Sequence, residues 1–272
     1  MEQDIIIVIA IAFVIRTLGI IESIGFWIRG KKIRFIYFIL GWACWTLEGL
    51  VTPIRMNQNN NGIFQFLDVG SELLISLGAL LIAVGIGSYM FNIKVKMVLI
   101  SSLILIIIPS FFLFINMYFL AKSFSTLTLL VLAPSLLLMG ILNRNKLQDV
   151  VGYNIIWFYV AIGFSVIYGL VYILVGSNPD FATVEFLFST LLTIFLLILL
   201  IHFEQGVVEK DKFWLKDKYS HDLGNILQMI RGSASLIEKT PASEKKDIIE
   251  FLSLVEEKWI EASRLLNEIR GL

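Results

Sequence analysis

Apolar residues fill most of the chain in long blocks rather than in alternation. Seven blocks approach or exceed the roughly 20 mostly apolar residues that a helix needs to cross a bilayer: Ile5–Ile28, Ile33–Pro53, Leu67–Phe91, Met97–Ala121, Phe124–Leu142, Val150–Val175 and Thr183–Phe203. Pro109 and Pro134 fall inside the fourth and fifth. Neighbouring helices satisfy the carbonyls that a proline frees, so neither residue need end a membrane helix. The pattern changes after Glu204. Leu223, Leu227, Ile230, Ala234 and Ile237 recur at steps of four and three, the seam of an amphipathic helix. Lys239-Thr240-Pro241-Ala242-Ser243 interrupts it, with Thr240 as a helix cap and Pro241 at the first helical position, where its missing N–H costs nothing. A second seam follows: Ile248, Leu252, Val255, Trp259, Ala262, Leu266 and Ile269.

These periods predict an all-α protein, a seven-helix transmembrane bundle followed by a two-helix hairpin. The expected divisions are a membrane domain at 1–203, a helical connector at 204–220 and the hairpin at 221–272, its first helix beginning near 211. A lone hairpin leaves part of its apolar stripes wet. Two copies in a four-helix bundle cover them, so a homodimer is expected.

Composition sharpens the division. The chain has 272 residues, 57% hydrophobic and only 16% charged, with zero net charge and a mean hydropathy of +0.83. Soluble domains carry about 25% charged residues, so a water-soluble enzyme is a poor reading. Of the 44 Asp, Glu, Lys and Arg residues, 20 lie in Met1–Phe203 and 24 in the much shorter stretch from Glu204 onward. The single cysteine, Cys44, excludes an intrachain disulfide and a cysteine metal cluster. The opening Met-Glu-Gln-Asp lacks the positive charge of a secretory signal, so the first helix is expected to remain.

Loops one, three and five carry the basic residues: Arg29, Lys31, Lys32 and Arg34; Lys94 and Lys96; Arg144 and Lys146. Loop two, Ile54–Phe66, has Arg55; loop four has Lys122 alone; loop six, near Ser177–Ala182, is acidic. The positive-inside rule then puts the N-terminus outside a cell membrane and the charged tail in the cytoplasm. An odd number of spans agrees.

His221 lies outside the first seam, with Asp222 beside it and Asn225 one turn on. The string Tyr219-Ser220-His221-Asp222-Leu223-Gly224-Asn225-Ile226-Leu227-Gln228 resembles the phosphoacceptor box of membrane sensor histidine kinases of two-component systems. In particular it resembles archaeal versions that read His-Asp-x-x-Asn-Ile-Leu-Gln. The likeness covers about Lys216–Leu272. It implies a dimeric hairpin whose exposed His221 carries a phosphoryl group and passes it to an aspartate of a response-regulator receiver domain. It further implies that Asp222 takes the proton on the other ring nitrogen and that Asn225 places a water or a phosphate oxygen. Where many members have proline, this chain has Ile226; where many have a basic residue, it has Gly224. Gly224 and Gly232 are expected to loosen the helix instead.

No Gly-rich lid and no G-x-x-x-x-G-K-[ST] run occurs in the chain. No cofactor is therefore expected on these residues. ATP and Mg belong to an ATP-binding kinase domain acting in cis or in trans. The other partners expected are the lipid bilayer, a second copy and a receiver domain, with no nucleic acid.

Ionisable groups inside a bilayer are costly and face an interior or a cavity. Arg16, Glu22, Glu48, Asp68 and Glu72 occur in the first three spans. Arg16, Glu48, Asp68 and Glu72 are candidates for an outward-open acidic pocket that takes a cation, a cationic ligand or a proton. The bland alternative is a structural network in which Arg16 neutralises one acid and Asp68 reaches the headgroups. The aromatic stripe Tyr153, Trp157, Phe164, Tyr168 and Tyr172 reads as packing, and His202 as an interfacial residue rather than a metal ligand.

Other functional classes stay open: a seven-span receptor or transporter whose tail only dimerises, or a phosphotransfer protein served by a separate kinase. A retinal photoreceptor would need a lysine in the last span, and Thr183–Phe203 has none.

Overall fold

The computed structural model describes residues 3–57, 60–175, 182–239, 253 and 256–264. All regular structure among them is helical: α1 (Gln3–Gly30), α2 (Ile33–Met56), α3 (Asn61–Gly87), α4 (Val95–Phe114), α5 (Tyr118–Leu142), the short α6 (Arg144–Val151), one 3-10 turn (Gly152–Asn154), α7 (Ile155–Val175) and α8 (Ala182–Lys239). A further helical stretch occupies 256–264. The chain divides into two compact units, Met1–Gly206 and Val207–Leu272, and α8 contributes to both.

Among the described residues, seven helices are long and apolar enough to cross a membrane. This is the make-up of a multi-pass membrane protein. In the first unit α2 packs between α1 and α3, α5 contacts α3, α4 and α7, and α4 also lies on α3. Apolar side chains stay exposed along α1 (Ile7, Val14, Ile21) and α4 (Leu99, Leu103, Ile107), as a surface facing lipid tails requires. The interior holds large aromatic side chains, among them Trp42, Phe35, Phe158 and Phe203. Close approach of α2 and α3 depends on Gly78, since a Cβ there would lie 2.3 Å from the Trp45 ring.

Three boundaries differ from the periodic reading. The fourth span was expected to run to Ala121, with a loop at Lys122. Instead α4 ends at Phe114 and the chain turns over Ile115–Met117. Asn116 adopts φ 60°, a left-handed conformation that asparagine tolerates better than most residues. The N–H groups of Ile115, Asn116 and Met117 bond back to Phe111, Leu113 and Phe112, which satisfies the helix end. Lys122 is therefore inside α5. The second loop is also shorter than expected. Arg55 sits in the last turn of α2, and Asn60 opens α3 by accepting bonds from the N–H groups of Gly62 and Ile63 at 3.0 and 3.2 Å. The fifth loop is the helix α6, which buries Leu147 and Val151.

In the second unit, Ile226 of α8 and Ala262 of the 256–264 stretch form a buried pair, with Tyr219, Leu223 and Ile230 packed against it. The contact stripe thus runs 219, 223, 226, 230. Leu227, expected in the seam, is 51% exposed. Both 226 and 227 lie one turn beyond Leu223, and the helix rotates to bury the former. Helix α8 is continuous from Ala182, through the helical connector expected at 204–220 and the start expected near 211. The turn expected at Thr240–Ser243, the seam residues Ile248, Leu252, Val255, Leu266 and Ile269, and most of the sixth loop lie outside the described residues.

Candidate functional site

Two sets of residues carry chemistry, one in each unit. In the second, His221 sits on α8 away from the stripe that packs on Ala262. Its side chain is 75% exposed and that of Asp222 is 42% exposed. Both neighbours address the same ring nitrogen. The Asn225 amide nitrogen Nδ2 lies 3.2 Å from His221 Nδ1, and Asp222 Oδ1 lies 3.7 Å from it. The ring is otherwise largely exposed. The i to i+4 geometry of the helix brings the amide to the ring.

The tautomer follows from how the amide is turned. As placed, the NH2 is toward Nδ1, so the amide donates and the ring proton resides on Nε2. With its oxygen toward the ring, Nδ1–H donates and the Nε2 lone pair is open. Only the second form is a nucleophile at Nε2. Asp222 can reinforce it by closing from 3.7 Å to hydrogen-bonding distance. Gly224 faces open space, so its lack of a side chain is not required by packing.

In the first unit three groups of ionisable residues are paired in the interior. Arg16, buried in mid-helix, donates from Nη1 to the Trp45 carbonyl at 2.5 Å and to Glu48 Oε2 at 2.8 Å, and from Nη2 to Ser189 Oγ at 3.2 Å. Glu48 also accepts from Thr52 at 2.6 Å and Ser71 at 3.4 Å. Four helices thus converge on one matched pair.

Asp68, at one end of the bundle, accepts from Arg55 Nη1 at 2.7 Å and Lys122 Nζ at 2.9 Å, and from the Tyr118 hydroxyl. It is buried against these groups, an inward arrangement unlike a carboxylate reaching lipid headgroups. Glu72 is fully buried one turn further along α3. The candidates Glu48, Asp68 and Glu72 therefore share one helical interior, while Arg16 serves Glu48. A carboxylate already holding a guanidinium offers a cation little net charge.

The third group, at the opposite end, escaped the sequence reading. Arg34 Nε and Nη2 donate to Glu204 Oε1 at 3.0 and 2.7 Å, and the Tyr89 hydroxyl donates to the same oxygen. The guanidinium lies 4.3 Å from the Tyr89 ring centroid. In the sequence Arg34 reads as a loop charge and Glu204 as a tail charge. The available signal was that both begin or end a span on the same side.

Asn154 donates to the His202 carbonyl at 2.9 Å, and Trp157 stacks on the His202 ring at 4.8 Å. A Cβ at Gly206 would lie 2.6 Å from the Val151 carbonyl oxygen. This stretch of α8 is therefore gripped on several sides. Between Trp45, Ala79, Ala133 and Tyr168 lies an apolar cavity of about 80 Å³, smaller than the roughly 150 Å³ void that admits benzene. No cluster of three or more His, Cys, Asp or Glu side chains suited to a metal ion occurs among the described residues.

Scans against protein-family models, curated proteins and solved structures each find no match to this chain.

Proposed function

We propose that this chain is the membrane sensor and phosphoacceptor part of a two-component phosphorelay. The observation that carries the reading is the His221 arrangement, a largely exposed imidazole with Asp222 and Asn225 both beside Nδ1; turning the Asn225 amide so that its oxygen faces Nδ1–H frees the Nε2 lone pair. In the reaction, the Nε2 lone pair forms a bond to the γ-phosphorus of ATP as the bond to the ADP oxygen breaks, and the electron pair leaves with ADP. A receiver aspartate then takes the phosphoryl group as the N–P bond breaks. ATP and its magnesium are held by a catalytic domain acting in cis or in trans.

Under this reading the basic loops lie in the cytoplasm and the N-terminus outside, following the positive-inside rule. The exposed Leu227, Trp259 and Ile260 of the second unit favour a homodimer, since each leaves apolar surface that a second hairpin covers. The Arg34–Glu204–Tyr89 group would hold α8 in one of two positions, and a stimulus that favours the other would change the presentation of His221 on the same helix.

The test is transfer in reverse. A receiver domain phosphorylated on its aspartate, incubated with membranes carrying the full chain, should lose label to the chain. His221→Gln should take none. A wild-type chain that accepts no phosphate from any co-encoded receiver or kinase contradicts the proposal.

A further inference from the structure

The apolar cavity beside Trp45 lies inside the first unit, where α2, α3, α5, α7 and α8 converge. None of the residues in its wall is exposed, in contrast to Leu127 and Val131 next to them on α5. Small residues leave the space: Ala79 and Ala83 on α3, Ala133 on α5 and Gly169 on α7. A close-packed interior has few voids larger than a water molecule, and this one has a volume of about 80 Å³.

The wall decides what can fill it. A buried water needs two to four polar partners. Trp45 Nε1 already donates to the Ile75 carbonyl at 2.9 Å, Thr126 Oγ1 to the Lys122 carbonyl at 3.1 Å and Ser165 Oγ to the Ala161 carbonyl at 2.8 Å. None of these wall residues keeps a side-chain proton for a guest. A second void of about 30 Å³ shares the walls Trp45 and Tyr168 but adds Arg16, Glu48 and Ser189. Water finds its partners there rather than in the apolar void. An apolar guest restores the dispersion contacts that the lining of an empty void lacks. Size sets the upper limit: if roughly 150 Å³ holds the six carbons of benzene, the cavity holds about three heavy atoms. We infer that it binds an uncharged, apolar molecule of at most this size, the class of dissolved apolar gases and short hydrocarbons, which enter from the bilayer core. Leu192 and Leu196 in its wall belong to α8, the helix that carries His221. Binding itself does not rest on the phosphotransfer reading.

Xenon is the probe, because apolar cavities bind it. The full chain, labelled with carbon-13 at its alanine methyls, is placed in phosphatidylcholine bilayer discs and followed by NMR under rising xenon pressure. The methyls of Ala79, Ala83 and Ala133 should shift and saturate. Ala10, exposed on α1, meets only xenon dissolved in lipid and should shift linearly, and Ala121, buried outside the cavity, should not move. Ala133→Leu adds three carbons and should abolish the saturating shift at Ala79 and Ala83. Ala83→Val adds two and should raise the half-saturation pressure read at Ala79 and Ala133. Gly163→Ala, on α7 outside the cavity with open space at its Cβ, should leave saturation unchanged. Without xenon, neither cavity-filling variant should melt below the wild type, because each fills a void. Propane and dioxygen are then added as competitors: displacement of xenon by propane assigns a hydrocarbon ligand, and displacement by dioxygen assigns a gas. Displacement by neither overturns the inference. Linear shifts at every methyl overturn it, as does saturation that both filling variants leave unchanged. Lower melting temperatures in both variants would mean that no space is vacant, and water cross-peaks to the three cavity methyls would mean a wet site; either result also overturns it. The assay contains no phosphotransfer, so its failure leaves the reading of His221 standing.

Discussion

Arg34 and Glu204 stand 170 residues apart in sequence and are joined by two hydrogen bonds, 3.0 and 2.7 Å long, to one carboxylate oxygen. The pair ties the start of α2 to α8 near the end of the first unit. Because the side chains are only 13% and 6% exposed, removing one partner strands a buried charge. Glu204→Gln is expected to destabilise the membrane unit by about 3 kcal/mol, the low end for breaking a buried pair. The double variant Arg34→Met/Glu204→Gln should recover part of the loss. Reversible unfolding of the four species in bilayer discs measures it. Strict additivity would mean that the pair is not coupled.

The Arg16–Glu48 pair is more enclosed, at 8% and 7% side-chain exposure. Arg16→Met leaves Glu48 with only the hydroxyls of Thr52 and Ser71. We expect it to cost more than Glu48→Gln, which keeps a hydrogen-bond acceptor beside the guanidinium. The double-mutant coupling should fall between about 1 and 3 kcal/mol. A value below about 0.5 kcal/mol would remove this pair from the structural account.

Asp68 holds two cations of unequal burial, with Arg55 20% and Lys122 37% exposed at the side chain. Solvent screens the second more strongly. Lys122→Met is therefore expected to cost less than about 1 kcal/mol, and Asp68→Asn considerably more, because it leaves Arg55 and Lys122 without their carboxylate. Melting temperatures of the three variants, Arg55→Met included, give the order; equal losses for Lys122→Met and Asp68→Asn would contradict it.

Gly224 has open space where a Cβ would stand. Gly224→Ala should therefore stabilise α8 locally by about 1 kcal/mol. Amide hydrogen exchange around His221 should slow by about fivefold. If the glycine supplies bendability for switching, the same variant should fix the ratio of phosphoryl gain to loss at His221. Unchanged exchange would show that this helix turn is not limited by the glycine.

Leu227 is half-exposed on the second unit, with Trp259 and Ile260 also exposed. On a Cys44→Ser background, Leu227→Cys should form an intermolecular disulfide under mild oxidation of native membranes, and Lys210→Cys should do so more slowly. Equal rates at both positions would argue against a hairpin interface.

Seven apolar helices were legible because bilayer thickness fixes their length and composition. Their ends were less so. The turn at Ile115–Met117 contains no glycine or proline, and two apolar blocks simply adjoin there; the left-handed Asn116 was the only cue. Pairing was legible for Arg16, since a cation in mid-span demands an acid. It was not legible for Lys122 or Arg34, which a charge count assigns to loops and which the fold turns inward against Asp68 and Glu204. In the second unit the four-three step was readable, but not whether Ile226 or Leu227 faces inward. The exposure of His221 followed from its offset from either stripe. That Asn225 and Asp222 approach the same ring nitrogen could not be read from spacing, which gives no side-chain direction.

The most direct test of the account is to locate phosphate on the chain itself. The full-length protein, in native membranes with its kinase or a phosphorylated receiver, is digested at neutral pH and mapped for acid-labile phosphate by mass spectrometry. The account places a single phosphoryl group on His221, absent from His221→Gln and reduced in Asn225→Ala. Phosphate on another residue, or none on a chain whose partner is demonstrably active, would contradict it.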